Sequence, residues 1–434
     1  MPKKFAFHKP QEEGKLKKSL GLWEITLSGV GIILGAGIYV LIGKAAGLAG
    51  YGIWLSFLIG ALLAAFTGLS YAELASRFPK AGGEYVYVKY AFNKLLAFIV
   101  GWLVILEGVI SAAAVALGFG GYFATLTGLG LIFGAILIIF LSTILILYGL
   151  KESVLIGIVC TIIEVLGIFI VIFFGLPRLN VANLMDIPSF VGVWQAAALV
   201  FFAYIGFGSM VRLSEETKSA TKNIPKGILL AIAISAILYI LVAIAAVSLM
   251  PPQALAASDA PLAEAIGNVL GNNVFLLVVG LIALFATANT VLFVMLTTSR
   301  MVYGMAELRS LPTSLSYINK ATHTPILATL LVAVFSLLFV FVGNIETVAN
   351  LTNFMVFCTF IFINSAVIIL RYSEGDNASF RIPLSIGRFP IPALLGLLFT
   401  IALLLSMADL IPYGIILIIA GIIIEHIVNR GAKP

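Results

Sequence analysis

Charged residues are scarce in this sequence. Only 10% of its 434 residues are Asp, Glu, Lys or Arg, whereas 62% are hydrophobic. A soluble globular domain carries about 25% charged residues, because its surface has to face water. The composition therefore excludes a water-soluble fold and predicts an all-α protein that crosses a membrane several times.

Cysteine and histidine are also rare, with two and three residues respectively. Cys160 and Cys358 lie inside apolar runs, where a thiol packs as a small apolar group. His8, His323 and His426 fall in a tail, in a loop and at the end of a predicted helix. We therefore expect no metal site and no cofactor. The apolar runs also lack a Ser/His pair, a His/carboxylate set and a phosphate-binding Gly-Lys loop, so we expect no enzyme.

Long apolar runs make up most of the chain. A membrane-spanning helix needs about 20 apolar residues. Runs of this length fall at roughly 20–49, 51–76, 96–124, 130–149, 153–177, 190–217, 225–250, 272–302, 325–343, 346–370, 389–408 and 411–428. We number them spans one to twelve and expect them to form a single membrane domain. The polar segment 1–18 lacks the short apolar core of a signal peptide and is expected to be a cytoplasmic tail.

The basic residues fall on one side of the membrane if successive spans alternate in direction. With the N-terminus in the cytoplasm, all of the 25 Lys and Arg residues except Lys44 and Arg178 lie in cytoplasmic segments. Such an excess marks the cytoplasmic side, so we expect a multi-pass protein of the cytoplasmic (cell) membrane with both termini cytoplasmic. The net charge of +6 then reflects topology and attraction to anionic membrane lipid, and no nucleic-acid partner is expected.

Two of the spans contain glycines at positions where a helix in lipid tolerates them poorly. They are Gly29, Gly31, Gly35 and Gly37 in span one, and Gly206 and Gly208 in span six. Glycine weakens a helix by about 0.5–1 kcal/mol relative to alanine, and loosened backbone groups in lipid need protein partners. Close helix packing is one explanation. The other is a pair of broken helices in two inverted repeats, 20–177 and 190–370, with spans eleven and twelve (389–428) added.

Several short motifs occur in a characteristic order along the chain. They are Gly35-Ala36-Gly37-Ile38-Tyr39, Tyr71-Ala72-Glu73-Leu74, Arg77 to Tyr85, Gly149-Leu150-Lys151-Glu152-Ser153, Phe201 to Phe207, and Glu215-Glu216 followed by Asn223-Ile224-Pro225. With these motifs the sequence resembles the amino acid–polyamine–organocation (APC) transporters, closely over spans one to eight and more loosely beyond. The resemblance implies a five-plus-five inverted-repeat fold of the LeuT type. The chain departs from many of these transporters at Gly208, where they carry aspartate, and at Ser219-Ala220, where they carry Asn-Pro.

A broken helix offers both kinds of group that a zwitterionic amino acid needs. Its outer half begins with free N–H groups and a partial positive charge, which suit a carboxylate, and its inner half ends with free C=O groups, which suit an ammonium group. In span one we assign the carboxylate to the N–H groups of Ala36, Gly37 and Ile38, and the ammonium group in part to the C=O group of Ile33. Gly35 and Gly37 carry no side chain, so a substrate can reach the backbone.

Span six is expected to complete the same site. The resemblance implies that the C=O groups of Phe202, Ala203 and Ile205 surround the substrate's ammonium group. The aromatic side chains of Tyr204 and Phe207 either line or gate the pocket or pack as ordinary core residues. Because these contacts are made mainly by the backbone, they leave the substrate side chain unspecified.

Two acidic residues lie deep in the predicted spans, Glu107 in span three and Glu164 in span five. At about 1.5 Å per residue, each is roughly 15 Å from the cytoplasmic end of its helix. A carboxylate at that depth is stable only when it is paired, bound to a cation or protonated. The resemblance puts Glu164 where some proton-coupled relatives carry lysine. The candidate neighbours of Glu164 are Gly31, Thr287, Asn289 and Thr290.

We therefore expect Glu164 and Glu107 to take part in coupling to H⁺ or Na⁺. We favour H⁺, because a single carboxyl group can bind a proton without a full set of oxygen ligands. Hydrogen bonding that only holds helices together is the alternative for both residues. Glu24 and Glu73, nearer helix ends, are expected to cap or pair there, and Glu215–Lys218 is expected to form a solvated surface with a contribution to gating.

The predicted function is secondary active transport of amino acids by alternating access, as a symporter with H⁺ or Na⁺. An amino-acid exchanger and a polyamine carrier are alternatives within transport, although a polyamine would favour several carboxylates in the broken segments, which contain none. A membrane amino-acid sensor without transport is the alternative from a different class.

Overall fold

The computed structural model describes residues 18–181, 183–258, 260–271, 273–341, 345–373 and 378–431. Within them the chain is mainly helical, as expected of a backbone that pairs its own polar groups inside a membrane. The α-helices are α1 (Leu22–Ala49), α2 (Ile53–Arg77), α3 (Gly83–Ala91), α4 (Lys94–Thr127), α5 (Leu131–Tyr148), α6 (Leu150–Gly175), α7 (Phe190–Tyr204), α8 (Ala220–Leu249), α9 (Pro252–Ala257), α10 (Pro261–Leu270), α11 (Asn273–Glu307), α12 (Ile326–Val340), α13 (Ile345–Ser373), α14 (Ile391–Leu405) and α15 (Ile411–Gly431).

Short elements connect these helices. The 3₁₀ helices are Gly50–Gly52, Leu176–Val181, Gly208–Glu216, Thr313–Ser316 and Ala408–Leu410. Strands β1 (Ser385–Ile386) and β2 (Phe389–Pro390) form a small antiparallel hairpin between α13 and α14.

Nine helical segments of the described chain are long and apolar enough to cross a membrane, and one of them, Leu22–Arg77, contains both α1 and α2. Helices α12 and α14 are also apolar but shorter, with 15 residues each. The prediction of an all-α, multi-pass membrane protein is therefore confirmed. The count of twelve spans and the inverted repeat stay predictions.

The apolar runs locate the long helices to within a few residues, with one exception. Span six, predicted as a single run over 190–217, consists of α7 and the 3₁₀ helix Gly208–Glu216, with a non-helical turn between them. Helices α3, α9 and α10 and the hairpin could not be predicted from apolar runs, because none of them is long enough to span a membrane.

Helix α1 lies at the centre of the fold, where it packs against α6, α7, α8 and α11. In the most apolar stretch of Leu22–Arg77, 88% of the residues are buried, compared with 11% in that of Ala408–His426. Most residues of both α1 and α2 are buried, so these two helices belong to the core, whereas α15 lies at the rim. Because α1 is central, its glycines are surrounded by other helices. Backbone N–H and C=O groups that leave helical bonding inside a membrane need such protein partners.

The segment before α1 lies beside the segment that follows the 3₁₀ helix Gly208–Glu216. Leu20 and Thr217 form an isolated parallel bridge. The Leu20 N–H donates to the C=O group of Glu216 at 3.1 Å, and the Lys218 N–H donates to the C=O group of Leu20 at 2.8 Å. The segment that enters the first broken helix is thus joined to the segment that leaves the second.

Glu216 forms a buried ion pair at this junction. Its carboxylate binds the guanidinium group of Arg300 on α11 through two contacts, at 3.1 and 3.4 Å, and both side chains are buried. The expectation of a solvated surface over Glu215–Lys218 is therefore wrong for Glu216 and for Thr217, which is also buried. The local sequence is polar, but the partner that makes burial possible comes from a distant helix.

Glu73 lies near the end of α2 and is paired as expected. Its carboxylate accepts hydrogen bonds from Arg371 of α13 at 2.9 Å and from Arg77 at 2.8 Å. Glu24 caps the start of α1 by accepting the Gly21 N–H at 3.1 Å. Both predictions for these glutamates are confirmed.

Candidate functional site

Helix α1 is interrupted at Gly35. This residue has φ −37° and ψ −140°, outside the helical region, while helical structure continues on both sides. The interruption divides α1 into an N-terminal half that ends at Leu34 and a C-terminal half that begins at Ala36. Of Ala36, the structure describes the backbone alone. At such an interruption, the last C=O groups of one half and the first N–H groups of the other lose their partners within the helix.

The interruption in span six lies at Ile205 and Gly206. Helix α7 ends at Tyr204, Ile205 is extended with φ −58° and ψ 129°, and Gly206 has φ +142°. A side chain at Gly206 would be strained at that φ, and its Cβ would lie 2.6 Å from Cγ2 of Ile32. Glycine is therefore required here both by the backbone conformation and by the proximity of α1. The prediction of two broken helices is confirmed by these dihedral angles.

The two interruptions lie against each other. A Cβ added at Gly37 would lie 2.4 Å from the Cα of Ala203, so the backbones of α1 and α7 touch. The hydroxyl of Tyr239 on α8 connects them, since it donates hydrogen bonds to the C=O groups of Ile33 and, at 3.0 Å, of Ala203. Tyr239 is fully buried and is absent from the residues that the sequence analysis assigns to the site.

A narrow pocket opens beside this contact. It is enclosed by α1, α4, the interruption of span six and α11, and it has both apolar and polar walls. Its lining residues are Ile32, Ile33, Gly37, Glu107, Gly108, Ser111, Phe202, Ile205, Gly206, Ser209, Arg212, Thr290 and Val294. Of the residues predicted to bind substrate, Ile33, Gly37, Phe202 and Ile205 thus line one pocket, together with Glu107 and Thr290 from the predicted coupling set.

The other predicted substrate residues lie next to the pocket. Gly35 touches α11, since a Cβ there would overlap the hydroxyl of Thr290. Ile38 and Ala203 are buried in the surrounding core. Tyr204 is used in packing: its hydroxyl donates to the C=O group of Phe57 at 2.9 Å.

Phe207 lines a second, adjoining pocket and packs edge-on against Tyr71 at 5.6 Å between ring centroids. The two pockets share several of their lining residues on either side of Gly206, including Glu107 and Arg212. Phe207 is thus a wall of the adjoining pocket as well as a core residue.

Arg212 and two glutamates form a buried charged cluster between the two pockets. The guanidinium group of Arg212 binds both carboxylate oxygens of Glu84, at 3.0 and 3.3 Å, and lies 3.8 Å from Oε2 of Glu107. Tyr71 donates its hydroxyl to Glu84 at 3.3 Å. Glu84 therefore neutralises Arg212, and Glu107 borders the pocket with a weaker ionic contact. Neither Arg212 nor Glu84 was assigned to the site from the sequence.

Glu164 lies in a different buried cluster, between α6, α1 and α11. Its Oε2 accepts a hydrogen bond from Nδ2 of Asn289 at 3.5 Å, and the same amide donates to the hydroxyl of Thr161 at 3.0 Å. Gly31 faces this cluster, since a Cβ there would lie 2.0 Å from the Thr161 hydroxyl. Oε1 of Glu164 and Oδ1 of Asn289 are buried without a hydrogen-bond partner among the described residues. Two acceptor oxygens are therefore left for a proton or a cation.

The other two predicted neighbours of Glu164 make different bonds. Thr287 donates its hydroxyl to the C=O groups of Ala283 and Leu284 within α11, at 2.8 and 3.1 Å. Thr290 donates to the C=O group of Ala286 at 3.1 Å and borders the pocket. Asn289 and Gly31 are thus the predicted neighbours that the structure places in the Glu164 cluster.

These features define a multi-pass helical membrane protein in which two interrupted helices enclose a small buried pocket. A model of the amino acid permease family matches residues 20–424. The chain is 31% identical to the branched-chain amino acid permease BcaP of Bacillus subtilis, over 96% of this chain and 94% of the relative. It is 32% identical to the methylthioribose transporter of the same organism, over 85% and 84% of the two chains.

A third relative is the vacuolar cationic amino acid transporter 4 of Arabidopsis thaliana, which is 30% identical over 86% of this chain and 65% of its own length. The chain belongs to the amino acid permeases of the APC superfamily, as its motifs suggested. This family and these relatives are transporters, and membership supports amino-acid transport.

Proposed function

We propose that this protein is a secondary active amino-acid transporter of the cytoplasmic membrane that works by alternating access and is coupled to H⁺. The observation that carries the proposal is the contact between the two interrupted helices, Gly37 against Ala203, at the edge of a buried pocket. In transporters, half-helix ends and unwound backbone at such a position bind the charged groups of the substrate.

The substrate's two charged groups are assigned to opposite ends of the interrupted helices. Its carboxylate binds the N–H groups of Ala36, Gly37 and Ile38 at the start of the outer half of α1. Its ammonium group binds the C=O groups of Ile33 and of the span-six residues Phe202, Ala203 and Ile205. Tyr239 uses only part of the acceptor capacity of Ile33 and Ala203, because each carbonyl oxygen has two lone pairs.

The coupling ion is assigned to Glu164. A proton on Oε1 would satisfy one of the two unpartnered oxygens and remove the buried charge. A sodium ion would need several oxygen ligands at once. Because Thr161 already donates its hydroxyl to Gly157 at 2.9 Å and accepts from Asn289, its remaining acceptor capacity is limited. This arrangement favours H⁺. Glu107, at the pocket wall beside Arg212, is a second candidate for proton binding.

We also propose the architecture that this mechanism requires. It comprises twelve spans, two inverted five-helix repeats (20–177 and 190–370) and cytoplasmic termini. Support comes from the two shorter apolar helices α12 and α14, and from the position of the interruptions in spans one and six. The Glu216–Arg300 ion pair then closes the cytoplasmic side of the pocket.

Uptake into proteoliposomes tests the proposal. The purified protein is supplied with a panel of radiolabelled amino acids that includes branched-chain and cationic members, under an inward pH gradient and, separately, an inward sodium gradient. Protein-free liposomes are the control. We expect at least one amino acid to accumulate under the pH gradient and to be lost when a protonophore is added. Accumulation under the sodium gradient alone would refute H⁺ coupling, exchange without accumulation would show an antiporter, and no flux in any format would refute transport.

A further inference from the structure

One wall of the pocket beside the interruptions is polar. It is formed by Glu107 and Ser111 of α4 and by Ser209 and Arg212, which follow the interruption of span six. All four residues are buried, with exposed fractions of 7% or less. Buried polar groups are costly without hydrogen bonds, so a group that fills this part of the pocket has to supply them.

The guanidinium group of Arg212 is only partly used by Glu84. Its Nε and Nη2 donate both hydrogen bonds to Glu84, whereas Nη1, with two N–H groups, donates none to the residues that the structure describes. The Glu107 carboxylate lies 3.8 Å from Nη2 and accepts no hydrogen bond from the described part of the chain. The wall therefore offers a donor and an acceptor next to each other.

The hydroxyls of Ser111 and Ser209 are also available. Buried serines elsewhere in the helices donate to a C=O group one turn earlier, as Ser248 does to Ile244 at 2.8 Å. The hydroxyls of Ser111 and Ser209 make no hydrogen bond to any described residue, and both residues line the pocket. Each hydroxyl can donate as well as accept, so both can bind a polar group in the pocket.

The charges of the wall select the kind of group that fits. A cationic group bound to Glu107 would lie close to Arg212, and an anionic group bound to Arg212 would lie close to Glu107, so each would meet a like charge. A hydrocarbon group would leave the donors and the acceptor unpaired. A primary amide avoids both problems, because it is neutral, accepts through its C=O group and donates through its NH₂ group.

We propose that this wall binds the side chain of the transported amino acid and selects a primary amide, that of asparagine or glutamine. The amide C=O group accepts from Nη1 of Arg212, its NH₂ group donates to Glu107, and the two serine hydroxyls provide further hydrogen bonds. Arg212 determines the specificity, and Glu84 is a positioning residue that holds the guanidinium group. The proposal rests on the proposed function, because the interruptions have to hold the substrate's carboxylate and ammonium group.

The first test compares amino acids of similar shape. The melting temperature (Tm) of the purified full chain is measured with asparagine, glutamine, leucine, methionine, aspartate, glutamate and lysine, since a ligand that binds only the folded state raises Tm. We expect asparagine or glutamine to raise Tm by about 2 °C or more and the others to have little effect. A site built to hydrogen-bond one group rejects analogues without that group by factors of about 10⁴.

The outcomes separate this proposal from transport itself. A larger shift with leucine, methionine, lysine or an acidic amino acid than with either amide would overturn the proposal. If that amino acid also accumulates in proteoliposomes, the transport function stands without it. No shift with any of the seven amino acids would overturn the amide subsite as well, and the uptake panel then tests transport separately.

The second test removes the guanidinium group. Arg212→Met is combined with Glu84→Gln, so that no buried carboxylate is left without its cation. We expect the amide to bind about tenfold to a hundredfold more weakly, the range for a hydrogen bond to a charged group, with no such loss for methionine or leucine. Affinities come from competition against the radiolabelled amide. An equal loss for amide and apolar amino acids, or no loss, would overturn the role of Arg212.

The third test leaves the buried charges untouched, so it applies even if the double variant cannot be purified. Ser111→Ala and Ser209→Ala should each weaken amide binding about twofold to tenfold. Ser235→Ala on α8 is the matched control: Ser235 is buried, its hydroxyl has no partner among the described residues, and it lines neither pocket. Amide affinity equal to that of the control in both pocket variants would overturn the assignment of this wall.

Discussion

The contact between α1 and α7 leaves no room for a side chain at Gly37, and this gives a sharp prediction for Gly37→Ala. A Cβ at this position would lie 2.4 Å from Cα and 2.5 Å from Cβ of Ala203. Carbon atoms that are not bonded prefer separations of about 3.5–4.0 Å, so the two helices have to separate by about 1 Å. The obstacle is backbone, which cannot rotate away as a long side chain can. Overpacking of this kind costs about 1–3 kcal/mol.

The separation should damage binding as well as stability. Gly37 contributes an N–H to the proposed carboxylate site, and Ala203 contributes a C=O group to the proposed ammonium site, so displacing one from the other spoils both. We expect Gly37→Ala to bind substrate at least about fivefold more weakly, which corresponds to about 1 kcal/mol. Gly37→Val, with two more methyl groups, should abolish binding. Equilibrium binding of a radiolabelled substrate and Tm are measured on the same purified samples.

Gly121→Ala on α4 is the matched control. Among the residues that the structure describes, no atom outside its own helical neighbourhood lies within 4 Å of the added Cβ. Replacing glycine in a helix favours folding by about 0.5–1 kcal/mol. Its Tm should be equal to or slightly above that of the wild type, with unchanged binding. If Gly37→Ala matches the wild type in both measurements, the close approach of α1 to α7 is wrong, and the backbone site loses its basis.

Three further substitutions test the buried charges. Glu164→Gln keeps the size of the side chain but cannot release a proton, so accumulation under a pH gradient should disappear while exchange of preloaded substrate persists; normal accumulation would remove Glu164 from coupling. Glu107→Gln should lower accumulation with little change in Tm, because Glu84 still neutralises Arg212, and unaltered accumulation would leave Glu107 with a structural role. Arg300→Met leaves the buried Glu216 carboxylate without its cation, which costs about 3–5 kcal/mol and should lower Tm. Adding Glu216→Gln to this variant should restore much of the lost stability. A double variant with no recovery of Tm would argue against the ion pair.

The long helices and both interruptions could be predicted from the sequence because lipid imposes a simple rule. A spanning segment has to be apolar along its length, and glycine in such a segment conflicts with a regular helix unless protein surrounds it. Gly35 and Gly206 are two such glycines, and both have non-helical dihedral angles. Short elements such as α3 and α10 cannot be predicted in this way, because the thickness of the membrane does not set their length.

The polar contacts of the site could not be predicted, because their partners are far apart in the chain. Glu84 and Arg212 are 128 residues apart, and Glu216 and Arg300 are 84 residues apart. A single tyrosine in an apolar helix, such as Tyr239, has the same pattern as a packing residue. Its role depends on where two other helices happen to end, and local periodicity holds no information about that.

The bridge between Leu20 and Thr217 couples the start of α1 mechanically to the end of span six. Backbone hydrogen bonds join the segment that enters α1 to the segment that leaves the 3₁₀ helix Gly208–Glu216. Neither segment can therefore move away from the other without breaking these hydrogen bonds. Displacement of one is transmitted to the other, and substitutions on the two segments should therefore have non-additive effects on stability. In the proposed transport cycle, the two segments move together as a single gate on this side of the pocket, and the ion pair of Arg300 with Glu216 holds that gate closed.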